Sequence, residues 1–141
     1  MKVKDVMTMA PVTITPDTPI SEARHLMQKH AIRHLPVLED GRLVGILSDR
    51  DLRTVAPSPA TSLSVWEINH LLTKLTARQV MTRFVITVAP DDPVTEAAGL
   101  MLGHKVGALP VVEAQRVVGI LTQSDVLRAL LKAQAALPVA A

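Results

Sequence analysis

Sliding the chain by 74 residues lays positions 6–52 over 80–126 without a gap, and 22 of the 47 aligned pairs are identical. Val6-Met7-Thr8 returns as Val80-Met81-Thr82, and Leu35-Pro36-Val37 returns as Leu109-Pro110-Val111. Chance identity would be far lower, so the chain is an internal duplication. A duplicated unit must fold the same way twice, which constrains the architecture more than any single motif.

Each repeat reads as β-α-β-β-α, an α+β arrangement. Val12-Thr13-Ile14 and Ile86-Thr87-Val88 are short strand-like pieces. A helix follows, with Thr18 or Asp92 expected as N-cap and Pro19 or Pro93 at the first helical position. Its apolar spacing is Ile20, Ala23, Met27 in one repeat and Val94, Ala97, Met101 in the other, which gives one buried stripe. Leu35–Leu38 and Leu43–Leu47 flank the turn Glu39-Asp40-Gly41-Arg42 and read as a hairpin. A closing helix is expected near 48–54 and 122–134. This gives a first repeat over 1–58, a linker with a short helix over 59–75, a second repeat over 76–134 and a tail over 135–141. In the linker, the Pro/Ser-rich stretch 56–62 is a connector, and Ser64-Val65-Trp66-Glu67 has the form of a capping box. Val65, Ile68, Leu71 and Leu72 should form one face of the helix it starts, with Trp66 pinning that helix to a neighbour. The tail is expected to be loosely held.

Among 141 residues, 48% are hydrophobic but only Trp66 and Phe84 are aromatic. The core must be aliphatic, and no aromatic platform exists for stacking bases. The formal charge is only +2, with no basic run. Nucleic acid is therefore not an expected partner. There is no cysteine, hence no disulfide or thiol chemistry. No apolar signal core follows Met1-Lys2-Val3-Lys4-Asp5, and no apolar run reaches membrane-spanning length, so a cytoplasmic location is expected. His30 and His34 straddle a helix end, and His25 and His30 are badly spaced for one face. No metal site or catalytic residue is expected.

The most informative stretch is Val118-Gly119-Ile120-Leu121-Thr122-Gln123-Ser124-Asp125, repeated as Val44-Gly45-Ile46-Leu47-Ser48-Asp49-Arg50-Asp51. A buried strand runs through a hydroxyl residue into a helix. Such a turn is expected to leave backbone N–H groups pointing at one spot, an anion site. With two such turns, the chain reads as a two-site binding protein. Ser48-x-x-Asp51 and Thr122-x-x-Asp125 are also capping boxes, and a capping box alone binds nothing.

The motif is glycine, apolar, any residue, Ser/Thr, two of any kind, then Asp. Found twice in register with Leu-Pro-Val upstream, it resembles the CBS domain, and the pair resembles the tandem CBS module that binds adenosine compounds. Ser64-Val65-Trp66-Glu67-Ile68-Asn69 is also similar to small bacterial CBS proteins of the acetoin-utilisation type. The resemblance implies two β-α-β-β-α repeats about a pseudo-twofold axis, with a regulatory ligand such as AMP, ADP, ATP or S-adenosylmethionine. An ionised Asp51 or Asp125 can accept from both ribose hydroxyls. The resemblance further implies that one cleft joins Ile120, Thr122 and Asp125 to Thr13, Ile14 and Ile32. The other would join Ile46, Ser48 and Asp51 to Thr87, Val88 and Val106.

The two sites should differ. Arg33-His34 stands where the second repeat has Gly107-Ala108, and Arg50 where it has Ser124. Basic residues there resemble phosphate-holding ones of nucleotide-binding relatives, whereas Gly107 offers room. A solvated Arg33 and a surface His34 are the plainer alternative. Apolar helix faces left uncovered by such small repeats imply a homodimer. Two other readings stay open: a constitutive dimerisation scaffold with empty clefts, and a sensor subunit of a separate enzyme or transporter.

Overall fold

The computed structural model describes residues 1–55 and 62–136. In chain order the elements are α1 (Val3–Val6), β1 (Thr8–Met9), α2 (Ile20–His30), β2 (His34–Glu39), β3 (Arg42–Ser48), α3 (Asp49–Val55), α4 (Val65–Lys74), α5 (Ala77–Val80), α6 (Val94–His104), β4 (Ala108–Glu113), β5 (Arg116–Thr122) and α7 (Gln123–Ala136). The connector expected over 56–62 and the tail expected over 135–141 lie mostly outside the described residues.

The elements divide into two compact units that interleave along the sequence. One holds residues 12–85, and the other holds 1–11 together with 86–141. The opening segment therefore packs with the second repeat. Val3 N–H donates to the Asp92 carbonyl at 2.8 Å, and Lys4 N–H to the Pro90 carbonyl at 2.9 Å. The segment 74 residues on does the same in the other unit. Ala77 N–H donates to the Thr18 carbonyl and Arg78 N–H to the Pro16 carbonyl, both at 2.9 Å. Val3 and Ala77 are each fully buried by this packing.

Within the unit of residues 12–85, β2 and β3 pair antiparallel with His34 opposite Ser48 and Val37 opposite Gly45. In the other unit, β4 pairs with β5, with Ala108 opposite Thr122, and β1 lies on the far side of β5. Both hairpins shift register at the same place, after Val37 and after Val111, so even the bulge is duplicated. The first turn is Asp40-Gly41, both at positive φ, the pair a tight hairpin turn favours. The second turn holds Ala114 and Gln115 at φ 49° and 66°, the same geometry without a residue suited to it. Packing of the hairpin imposes that turn against local preference, at a cost of about 1–2 kcal/mol per left-handed residue.

The expected helical stripes form the cores. Ile20, Ala23 and Met27 of α2 pack with Leu35, Val37 and Leu47, and Ala97 and Met101 of α6 pack with Leu109, Val111 and Leu121. Other expectations need correction. The pieces 12–14 and 86–88 are not strands but single parallel bridges, Ile14 to Val37 and Val88 to Val111. The N-caps of α2 and α6 are Pro19 and Pro93, one residue later than expected. Thr18 and Asp92 close the preceding turn instead, accepting from Thr15 N–H at 3.1 Å and Ala89 N–H at 2.8 Å. Ser64 does cap α4, with Glu67 N–H donating to the Ser64 hydroxyl at 3.2 Å, but the expected box is only half formed, because the Ser64 hydroxyl and not its backbone N–H donates to the Glu67 carboxylate. However, Trp66 is 85% exposed and pins nothing. Val65 and Leu71 are exposed as well, and the buried side of α4 is Leu72 with Ile68 and Leu75 at its margin.

The motif glycines explain how the crossing segments fit. A Cβ on Gly119 would lie 2.6 Å from Met7 Sδ and 2.9 Å from the Thr8 carbonyl oxygen. A Cβ on Gly45 would lie 2.5 Å from Met81 Sδ and 3.1 Å from the Thr82 carbonyl oxygen. Only a bare Cα lets that backbone lie across the hairpin. Gly119→Ala should therefore destabilise by about 1–3 kcal/mol in chemical denaturation, the usual size of overpacking. Gly99→Ala, in α6 with no atom within 4 Å of its Cβ, should instead stabilise by about 0.5–1 kcal/mol. Equal effects at the two positions would refute the crossing as the reason for Gly119.

Candidate functional site

At the end of β3, Ser48 and Asp51 satisfy each other. Ser48 N–H donates to Asp51 Oδ2 at 2.9 Å, and Asp51 N–H donates to Ser48 Oγ at 3.1 Å. At the end of β5 the same pair of bonds joins Thr122 and Asp125, at 3.0 and 3.2 Å. Both capping boxes are thus real. They also change the chemistry expected of the turn. Asp49 N–H is bound to the Arg33 carbonyl at 2.8 Å, and Gln123 N–H to the Gly107 carbonyl at 3.0 Å. Three of the four amides at each strand-to-helix junction are therefore already engaged. The bundle of free N–H groups expected as an anion cradle is not present, because the motif's own side chains and the upstream loop consume it. What remains for a ligand is side-chain chemistry.

The unit of residues 12–85 brings several expected site residues together. Arg33 and His34 enter β2 beside the motif, through the Arg33–Asp49 backbone bond and the His34–Ser48 register pair. Arg33 and Arg50 are exposed, while His34, Ser48 and Asp51 are half-buried, as are Ile46 and Ile32. Ile14 is buried and Thr13 exposed in this unit. The other unit holds Ile120, Thr122 and Asp125 with Gly107, Val106, Val88 and the exposed Thr87. The plainer alternative holds for Arg33, which is exposed, but not for His34, which is half-buried. Burial pushes its pKa below the usual histidine value, Arg33 adds to that push, and Asp51 and Asp49 oppose it.

Sequence reasoning missed three contacts. Thr8 in β1 pairs with Ile120, and its hydroxyl lies 3.5 Å from Asp125 Oδ1. Thr82 pairs with Ile46 through backbone bonds of 3.0 and 2.9 Å. Arg128, one turn into α7, donates to Asp125 Oδ1 at 2.7 Å. The first two had a signal in the repeated Val-Met-Thr. Arg128 had none, because position 54 in the first repeat is a threonine. Among the described residues no group of three or more His, Asp or Glu could hold a metal ion.

The CBS domain model matches residues 3–58 and 77–132. This chain belongs to the CBS domain family. Its fold is similar to that of a solved CBS pair, protein MJ0100 in complex with 5′-methylthioadenosine and S-adenosyl-L-methionine, at 32% identity and TM-score 0.79 over 94% of this chain and 98% of that one. It is similar to CBSX2 in complex with AMP, at 31% identity and TM-score 0.78 over 94% and 98% of the two chains. It also resembles a putative acetoin utilisation protein of Vibrio cholerae, at 34% identity and TM-score 0.78 over 99% and 98%. The chain spans 22% and 46% of the length of two curated relatives from Methanocaldococcus jannaschii, an L-aspartate semialdehyde sulfurtransferase and the uncharacterised protein MJ1225. Of the described helices of this CBS protein, none is long and apolar enough to cross a membrane.

The lowered pKa of His34 gives a sign for pH dependence. A folded-state pKa below the unfolded value near 6.5 means the unfolded chain binds the proton first. The contribution of neutral His34 is present above the unfolded pKa and is lost as pH falls through the folded one. The melting temperature should drop between pH 7 and pH 5, and less steeply in His34→Ala, which copies Ala108 of the second repeat. Parallel slopes for the two proteins would show that His34 titrates as in the unfolded chain.

Proposed function

We propose that this CBS protein is a regulatory module that binds an adenosine-containing ligand, such as AMP, ADP, ATP or S-adenosylmethionine, and performs no catalysis. Asp51 and Asp125 are the ribose acceptors in this reading. The observation that carries it is the state of the Asp51 carboxylate. Its Oδ2 is fixed by Ser48 N–H, which orients the group, while no further hydrogen bond to this carboxylate occurs among the described residues. An oriented, half-buried carboxylate with spare lone pairs suits two neighbouring hydroxyls. Ser48 and Thr122 retain hydroxyl protons to donate, and aliphatic surface for a base is offered by Ile32 and Ile46 in one unit and by Val106 and Ile120 in the other. Arg33, His34 and Arg50 put cations or a donor near a phosphate on the first motif. The complexes of MJ0100 and CBSX2 support the ligand class by analogy.

A thermal-shift panel of adenosine compounds tests this. A ligand at about a hundred times its dissociation constant should stabilise by about 2.7 kcal/mol. Asp51→Asn with Asp125→Asn should abolish most of that shift while changing the unliganded melt little. A double variant that responds like the original chain would end the assignment of these aspartates.

A homodimer belongs to the same proposal. Leu127, Leu130 and Leu131 of α7 form an i, i+3, i+4 face and are 60%, 62% and 69% exposed, and Leu102 of α6 in the same unit is 81% exposed. Such a face in water favours a second copy. Light scattering should give about twice the chain mass, and Leu127→Glu with Leu131→Glu should halve it. A monomer in the original chain at micromolar concentration would refute the dimer. In the sensor role, ligand occupancy would be passed to a separate enzyme or transporter, which pull-down with and without ligand would reveal.

A further inference from the structure

The two motif aspartates occupy equivalent positions but do not have equivalent partners. Around Asp51, Oδ2 accepts from Ser48 N–H, and the residue three further on is Thr54, whose hydroxyl donates to the Arg50 carbonyl at 3.0 Å. Around Asp125, Oδ2 accepts from Thr122 N–H, while Oδ1 accepts from Arg128 at 2.7 Å and has the Thr8 hydroxyl at 3.5 Å. Asp125 is only 5% exposed, whereas the Arg128 side chain is 65% exposed. A buried carboxylate is thus held by a cation that stands mostly in water. Three donors thus stand on a carboxylate with about four lone-pair sites, so too few remain for both hydroxyls of a ribose diol.

We propose that Arg128 is a selectivity gate on the second site. The inference rests on the reading of Asp125 as a ribose acceptor. To seat both hydroxyls on Asp125 a diol must displace a donor, and the close donor on Oδ1 is the guanidinium at 2.7 Å. A neutral nucleoside leaves that guanidinium without its carboxylate and offers nothing in return. A ligand with a phosphate or carboxylate gives it a new anionic partner, to which a long, exposed arginine can swing. The second site therefore discriminates against neutral adenosine and admits anionic adenosine compounds. The first site has no such lock, because Thr54 cannot reach across as a cation.

The repeat supplies reciprocal variants. In the Asp51→Asn chain, which leaves the second site, calorimetric titration with adenosine and with AMP is compared for Arg128 and Arg128→Thr. Adenosine should bind about tenfold tighter in Arg128→Thr, and the preference for AMP over adenosine should shrink by at least that factor. In the Asp125→Asn chain, Thr54→Arg should weaken adenosine by a similar factor, which keeps the test intact if Arg128→Thr folds poorly. Unchanged or weaker adenosine binding in Arg128→Thr, with Thr54→Arg also neutral, overturns the gate. If the Asp51→Asn/Asp125→Asn chain is silent in that case, the ribose reading survives and only the gate falls. If that double variant still binds like the original chain, the ribose reading fails and takes the gate with it.

Discussion

In each unit a motif glycine lies against the segment that crosses the hairpin. Gly119 faces Met7 and Thr8, where a Cβ would fall 2.9 Å from the Thr8 carbonyl oxygen, and Gly45 faces Met81 and Thr82, where a Cβ would fall 3.1 Å from the Thr82 carbonyl oxygen. Much else follows from that contact. It seats β1 beside β5 and ties Thr82 to Ile46. It holds the short helices α1 and α5 where Val3 and Ala77 become fully buried. It also brings Thr8 to the edge of the Asp125 carboxylate. The glycine that opens the motif is thus a packing requirement, and the aspartate that closes it is a polar one.

Between those two ends, the motif consumes most of its own backbone donors. The Ser/Thr and Asp bond each other's amides, and the loop before β2 or β4 takes the next one. This rigidifies the junction and fixes the carboxylate's orientation. It also leaves side chains, rather than most helix-end amides, unengaged at the junction. Differences between the two motifs in Arg33, His34, Arg50 and Arg128 then matter more than the shared backbone, because the backbone offers the same few groups in both.

Duplication makes those differences legible. The hairpins match down to their bulges, so a change in side chain is set against a constant frame. The half-buried His34 has its pKa lowered by that burial and faces Ser48, while Ala108 faces Thr122 with no titratable group. Arg128 closes on Asp125, while Thr54 turns to its own helix backbone. The first motif has Arg33 and Arg50 beside it, whereas on the second motif Arg128 pairs with the aspartate itself.

The sequence by itself determined the duplication, the α-β-β-α order within each repeat, the buried stripes of α2 and α6, the hairpins and the two motif capping boxes. The duplication is written in the 74-residue self-match, and the others in local periodicity or in spacing within about four residues. It could not show that residues 1–11 belong with the second repeat, since that is a packing choice between two nearly identical hairpins. Nor could it show that 12–14 and 86–88 would shrink to single bridges, that Ala114-Gln115 would be forced into a glycine-like turn, or that Trp66 would stay in water. Those outcomes depend on which neighbour is available to pair or pack. The site divides the same way. Asp51 and Asp125 were visible as residues. The occupancy of their oxygens, with one left an open lone pair and the other closed by Arg128, was decided by contacts that only the folded chain assembles.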